Sequence, residues 1–234
     1  LGDAKEISVA NIISNLFFLN GFNPYWINSI VPGGWSIAIE MSFYACIPYL
    51  FSKIKNLNQA FLFFIFTLII SSFSNWYLES HILITDKTLW IDYLYLYFPS
   101  QLPVFALGIM LYFLIIKKEP FWQINIWYIH LFVATITVHY FNSEITTMPS
   151  HILYSIGFMF IVFTMGKHHI KILVNRITVY IGKISFGLYL VHFAALNLLE
   201  KFNLLNVLGT GAFNYLFRYL CVLLISIGIA SFLH

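Results

Sequence analysis

The chain has 234 residues, of which 60% are hydrophobic and 9% charged, with a formal net charge of +3. Water-soluble domains carry about 25% charged residues because their outside must be solvated, so this composition excludes a soluble fold. The 25 Phe, 15 Tyr and 6 Trp exclude disorder, and the small, scattered positive charge gives a nucleic-acid partner no electrostatic footprint.

The solvent such a chain calls for is a lipid bilayer, and a membrane helix needs about 20 mostly apolar residues to cross it. Eight stretches read that way, at 7–23, 35–52, 59–78, 93–116, 121–141, 150–166, 177–199 and 213–233, which predicts an all-α integral membrane protein, a polytopic bundle of about eight transmembrane helices. The first carries Asn11, Ser14, Asn15 and Asn20, which suit a helix facing protein rather than lipid. The second follows a turn at Pro32, Gly33 and Gly34. The solid apolar run at 59–73 rules out the alternating strands of a β-barrel. Tyr97, Gln101 and Pro103 in the fourth stretch either line a cavity or distort the helix. His130 in the fifth reads as a packing residue, and the sixth is short. With no repeat and no long linker, residues 1–234 read as one membrane-embedded domain.

Orientation follows from the basic residues near the membrane ends. With Leu1 in the cytoplasm and eight crossings, Lys5, Lys53, Lys55, Lys117, Lys118, Lys167, Lys171, Arg176 and Lys183 fall inside. Only Lys87, Lys201 and Arg218 fall outside, so both the Leu1 and His234 ends are expected in the cytoplasm. Trp26, Trp76 and Trp90 then lie at the outer interface and Trp122 at the inner one.

Two segments concentrate polar groups inside apolar helices. In P-G-G-W-S-I-A-I-E-M-S-F-Y at 32–44, Ser36, Glu40 and Tyr44 stand at i, i+4 and i+8 and share a face. A carboxylate so close beneath the interface is costly to desolvate, so Glu40 either serves a wet site or bonds a neighbouring helix as structural glue. In G-K-I-S-F-G-L-Y-L-V-H at 182–192, Ser185, Tyr189 and His192 stand at i, i+4 and i+7. At about 1.5 Å per residue, His192 reaches the outer half of the membrane, the depth of Glu40. A carboxylate beside an imidazole suits removal of a hydroxyl proton, and a buried His bonded to a backbone carbonyl is the structural alternative. Cys46 and Cys221 lie in apolar stretches, and His168 and His169 sit beside Lys167 and Lys171 as a solvated basic face. No histidine spacing suggests a metal site, and Gly209-Thr210-Gly211 is a loop turn with no strand before it to make a phosphate cradle.

P-G-G-W-S-I-A-I-E at 32–40 resembles the W-S-L-x-x-E stretch of the acyltransferase 3 family, the membrane O-acyltransferases of bacterial surface glycans. F-P-S-Q-L-P-V-F-A-L-G at 98–108 is similar to that family's F-P-x-x-x-x-x-F-x-x-G segment, and I-S-F-G-L-Y-L-V-H at 184–192 to its I-S-Y-x-x-Y-L-x-H motif. The resemblance implies a fold of about ten membrane helices in the bacterial plasma membrane. It implies transfer of an acyl group, usually acetyl, from acetyl-CoA or another acyl-CoA to a carbohydrate hydroxyl, with no bound cofactor. It makes Glu40 and His192 the expected catalytic-site residues, with Trp35, Ser36, Tyr44, Ser185 and Tyr189 lining the substrate pocket. The family's Arg- and His-bearing first helix would lie before Leu1, so the sequence is expected to be an N-terminally truncated piece, inactive alone, which stops short of the family's usual end. The rival readings are a secondary transporter or flippase using Glu40 and His192, and a membrane-embedded structural or sensory partner.

Overall fold

The computed structural model describes residues 7–31, 33–141, 149–167, 170–171, 173–205, 207, 209 and 211–234, with side chains of 138–141 excepted. Lys5, Pro32, His168, His169 and Thr210 lie outside the described residues. The described residues are helical and form no strand: α1 Val9–Leu16, α2 Gly34–Lys53, α3 Leu57–Ser80, α4 Lys87–Leu96, α5 Phe98–Leu111, α6 Ile126–Phe141, α7 Ser150–Lys167, α8 Arg176–Lys201 and α9 Ala212–Leu233. Five helical segments are long and apolar enough to cross a bilayer: α3, the α4–α5 run Lys87–Ile116, α7, α8 and α9. The chain is thus an all-α, multi-pass membrane protein. Its contacts gather into two compact units, Leu1–His168 and His169–His234.

The first predicted crossing is corrected. Stretch 7–23 is an eight-residue helix, α1, followed by a 3-10 turn at Asn20–Phe22. Such a helix is about 12 Å long, less than half a membrane. The amides explain why it stops: Asn15 Nδ2 donates to the carbonyl and side-chain oxygens of Asn11, and Ser29 Oγ donates to Asn11 Oδ1 at 2.9 Å. Phe18 then takes a left-handed φ of 59°. The expectation that these polar residues face protein holds, since Asn11, Ser14 and Asn20 are buried. α2 has the length of a span, but its serines, tyrosines and Glu40 leave it less apolar than the other five. Stretch 121–141 begins with a 3-10 turn, Phe121–Gln123, before α6.

The core of the first unit is the contact of α3 with α5. Leu57, Ala60, Phe61, Phe64, Ile65 and Leu68 pack against α5 residues that include Ala106, Leu107, Ile109 and Met110. Phe43 of α2 stacks on Phe105 at 4.2 Å, and Phe132 of α6 lies 5.7 Å and 5.9 Å from Phe61 and Phe64. The α4–α5 break has a local cause. Pro99, in the first turn of α5, has no N–H to offer the carbonyl of Tyr95 and its ring would clash there, so Tyr97 swings to an extended ψ of 161°. Gln101 Nε2 donates to the freed Tyr95 carbonyl at 2.7 Å. Helix distortion is therefore what Gln101 serves.

The lysines sort by end, as the loop count predicts for this unit. Leu57 N–H, at the start of α3, donates to Glu119 Oε2 at 2.7 Å, Asn58 Nδ2 donates to the Gln123 carbonyl at 3.0 Å and Asn125 N–H donates to Asn58 Oδ1 at 2.6 Å. Ile115 packs on Gly166 near the end of α7. Lys53, Lys55, Lys117, Lys118 and Lys167 therefore share one end, with Trp122, while Trp26, Lys87 and Trp90 lie toward the other.

In the second unit α8 starts with a reciprocal capping box between Asn175 and Thr178. It packs against α9 through small residues: a Cβ on Gly187 would lie 3.3 Å from that of Ala230. Close approach of backbones is how membrane helices gain dispersion contact when lipid is as apolar as their side chains. Asn214 Nδ2 ties the preceding loop by donating to the Leu205 carbonyl at 2.8 Å.

Candidate active site

The Gly33-Gly34 turn is what starts α2 where it does. Gly33 caps the helix with φ 74°, a left-handed conformation that glycine adopts without steric cost, and its carbonyl accepts from Ser36 N–H at 3.2 Å and Ser36 Oγ at 3.1 Å. One turn on, Glu40 is half-buried and accepts from the hydroxyl of the exposed Tyr44. The predicted face of Ser36, Glu40 and Tyr44 is thus present, with its last two members bonded to each other. Trp35, beside it, packs on a buried aromatic cluster of Ile27, Trp90, Tyr93, Leu94 and Tyr97. The turn at Asn20–Phe22 seats closely on the same helix, since a Cβ on Gly21 would lie 3.2 Å from Ala38 Cβ.

The second motif lies on α8. Ser185 Oγ donates to the Gly182 carbonyl at 2.8 Å, a helix back-bond. His192 is half-buried, with Nδ1 on the Tyr189 carbonyl. A carbonyl only accepts, so Nδ1 carries the proton, and in the neutral ring Nε2 holds the lone pair. The rings of Phe193 and Tyr189 flank the imidazole at 4.0 Å and 5.5 Å. At about 100° per residue, the Ser185/Tyr189/His192 face is turned about a third of a circle from the face of Ile184, Gly187 and Ala195 that meets α9. Glu40 belongs to the first unit and His192 to the second, and the structure brings each together with its own motif partners.

Sequence reasoning passes over a third polar group, at the end of the first unit away from the lysines. Thr67, Ser71 and Asn75 form a buried ladder along α3, and Ser100 at the start of α5 is fully buried. His151, opening α7, places Nε2 on the Ser100 carbonyl at 3.0 Å and meets the Tyr95 ring edge-on at 4.7 Å. Ser71 Oγ, Asn75 Oδ1 and Ser100 Oγ have no hydrogen-bond partner among the described residues. The i, i+4, i+8 spacing of 67, 71 and 75 is the signal that could have found the ladder.

Each motif thus carries groups capable of acid–base chemistry, a carboxylate that accepts from a tyrosine on α2 and an imidazole with one nitrogen fixed by backbone on α8. A family model described as "Acyltransferase domain" matches residues 7–234, nearly the whole chain. The chain belongs to the acyltransferase 3 family, and by class it is a membrane acyltransferase. No curated protein and no solved structure matches it.

Proposed function

We propose that the protein moves an acyl group, acetyl in the simplest case, from an acyl-CoA thioester to a hydroxyl of a cell-surface carbohydrate at the bacterial plasma membrane, with Glu40 and His192 as catalytic residues. Membership of the acyltransferase family over residues 7–234 is the observation that carries this reading. The acceptor oxygen attacks the thioester carbonyl; a C–O bond forms, the C–S bond breaks, and the hydroxyl proton ends on the departing sulfur. His192 suits the relay, because its Nε2 can take the proton while the Tyr189 carbonyl holds Nδ1–H. Glu40, whose carboxylate accepts from the Tyr44 hydroxyl, is the second acid–base group of the proposed reaction. Trp35, Ser36 and Tyr44 on α2 and Ser185 and Tyr189 on α8 are the substrate-contacting residues of this reading. Both substrates come and go, and no resident cofactor is required.

The test uses membranes from cells expressing the chain from its full reading frame, given labelled acetyl-CoA, with label counted in surface polysaccharide. Glu40→Gln keeps an oxygen for Tyr44 and removes the charge, so it should lower transfer about a hundredfold, the scale of one acid–base contribution, with membrane insertion unchanged. Undiminished transfer would make Glu40 structural glue. Solute movement with an unacylated acceptor would favour the transporter instead.

A further inference from the structure

At the lysine end of the first unit, the segment after α5 departs from α-helical geometry. Tyr112–Ile116 is a π-helical turn, and Lys118 beyond it holds a left-handed φ of 57°. Widened turns of this kind recur at functional sites because they displace side chains from the regular ladder. Here the displaced segment opens a cavity of about 530 Å³ against the end of α7, walled by Leu114, Ile115 and Trp122 and carrying Lys118 and Lys167. The cavity combines an apolar wall with two cations.

The charges of the two cavity lysines are only partly engaged. Glu119, the acid on the same wall, accepts from Leu57 N–H, so its charge is set against the positive end of α3. Lys53 and Lys167 stand in the last turns of α2 and α7, where a cation complements the helix dipole, and Lys55 Nζ donates to the Phe51 carbonyl. Lys167 Nζ lies over the Phe163 ring at 4.4 Å, a cation–π contact that engages its charge but uses none of its N–H donors. Lys118 lies past the helix end and no carboxylate pairs with it among the described residues. Trp122 is 85% exposed at the rim, an amphipathic ring at the depth where lipid headgroups begin.

We propose that this cavity binds a phosphate ester, its anion held by Lys118 and Lys167 and the adjoining apolar part of the same molecule laid on Leu114, Ile115 and Trp122. The headgroup of an anionic glycerophospholipid is the source that the exposed Trp122 favours, and coenzyme A, the donor of the proposed reaction, is the competing outcome. Binding here can be read whether or not the chain transfers acyl groups.

The purified full chain in detergent is titrated separately with phosphatidylglycerol, phosphatidylcholine and coenzyme A, with bound ligand read by native mass spectrometry. Wild type should retain phosphatidylglycerol; retention of coenzyme A in its place would make this the donor site of the proposed reaction and overturn the lipid reading. K118Q/K167Q should lower phosphatidylglycerol retention about twenty-fivefold, a factor of about five for each lysine. K118R/K167R should keep it, which separates loss of charge from loss of fold, and K53Q/K55Q should leave it unchanged. Equal retention by K118Q/K167Q, equal loss in K53Q/K55Q, or uptake of phosphatidylcholine as strong as that of phosphatidylglycerol would overturn the proposal.

Discussion

Across the α3–α5 contact, side chains of α2, α6 and α7 close in from all round, whereas α8 and α9 meet along a single seam at Gly187 and Ala230. The apolar windows of α3 and of the α4–α5 run are 44% buried, against 11% for α8 and for α9. In water, the second arrangement would be untenable, with Phe213 82% and Phe232 90% exposed. In lipid it costs little, because acyl chains cover a phenylalanine as well as another helix does. What lipid cannot cover is a polar group. In the first unit those are largely enclosed, as with Thr67, Ser71, Asn75 and Ser100. In the second, Ser185 and Tyr189 are exposed and His192 half-buried, so their face calls for water, substrate or protein beside it.

The contrast can be broken by overpacking each contact in turn. Ala106→Leu places three extra carbons where Ala106 is fully buried between α3 and α5, and should cost about 3 kcal/mol, the upper part of the range for an enclosed core. Gly187→Leu also meets Ala230, but the hairpin has open flanks, and about 1 kcal/mol is expected as the helices slide. Thermal unfolding in mild detergent, followed by circular dichroism, orders the two; a larger loss for Gly187→Leu would reverse the comparison. A smaller effect sharpens it. Gln101→Leu leaves the Tyr95 carbonyl without its side-chain donor at the break, for a loss of about 1 kcal/mol in the same assay. No change would mean that the kink holds itself.

Much of this was legible in the sequence because a bilayer imposes one length on every span. Stretches 59–78, 150–166, 177–199 and 213–233 match α3, α7, α8 and α9 within a few residues. Stretch 93–116 was drawn short, because the Asp86 side chain caps α4 by accepting from Thr88 and Leu89 N–H, a signal that hydropathy does not register. The first stretch failed where asparagine side chains bonded within and beyond their own helix. For the site, helical spacing was enough to group Glu40 with Tyr44 and Tyr189 with His192, since those contacts are local. The meeting of His151 with Ser100 spans 51 residues between helices, and no local pattern encodes it.

The clasp at the start of α3 has a consequence for biosynthesis. Glu119 reaches back 62 residues to Leu57, and Asn125 reaches 67 to Asn58. When α3 leaves the ribosome neither partner has been made, and Asn56, bonded to Gln59 N–H, is the cap available to that first turn. The corner therefore locks only after α5 has followed α3 into the membrane, which makes it a latch on a hairpin already threaded rather than a guide for threading it.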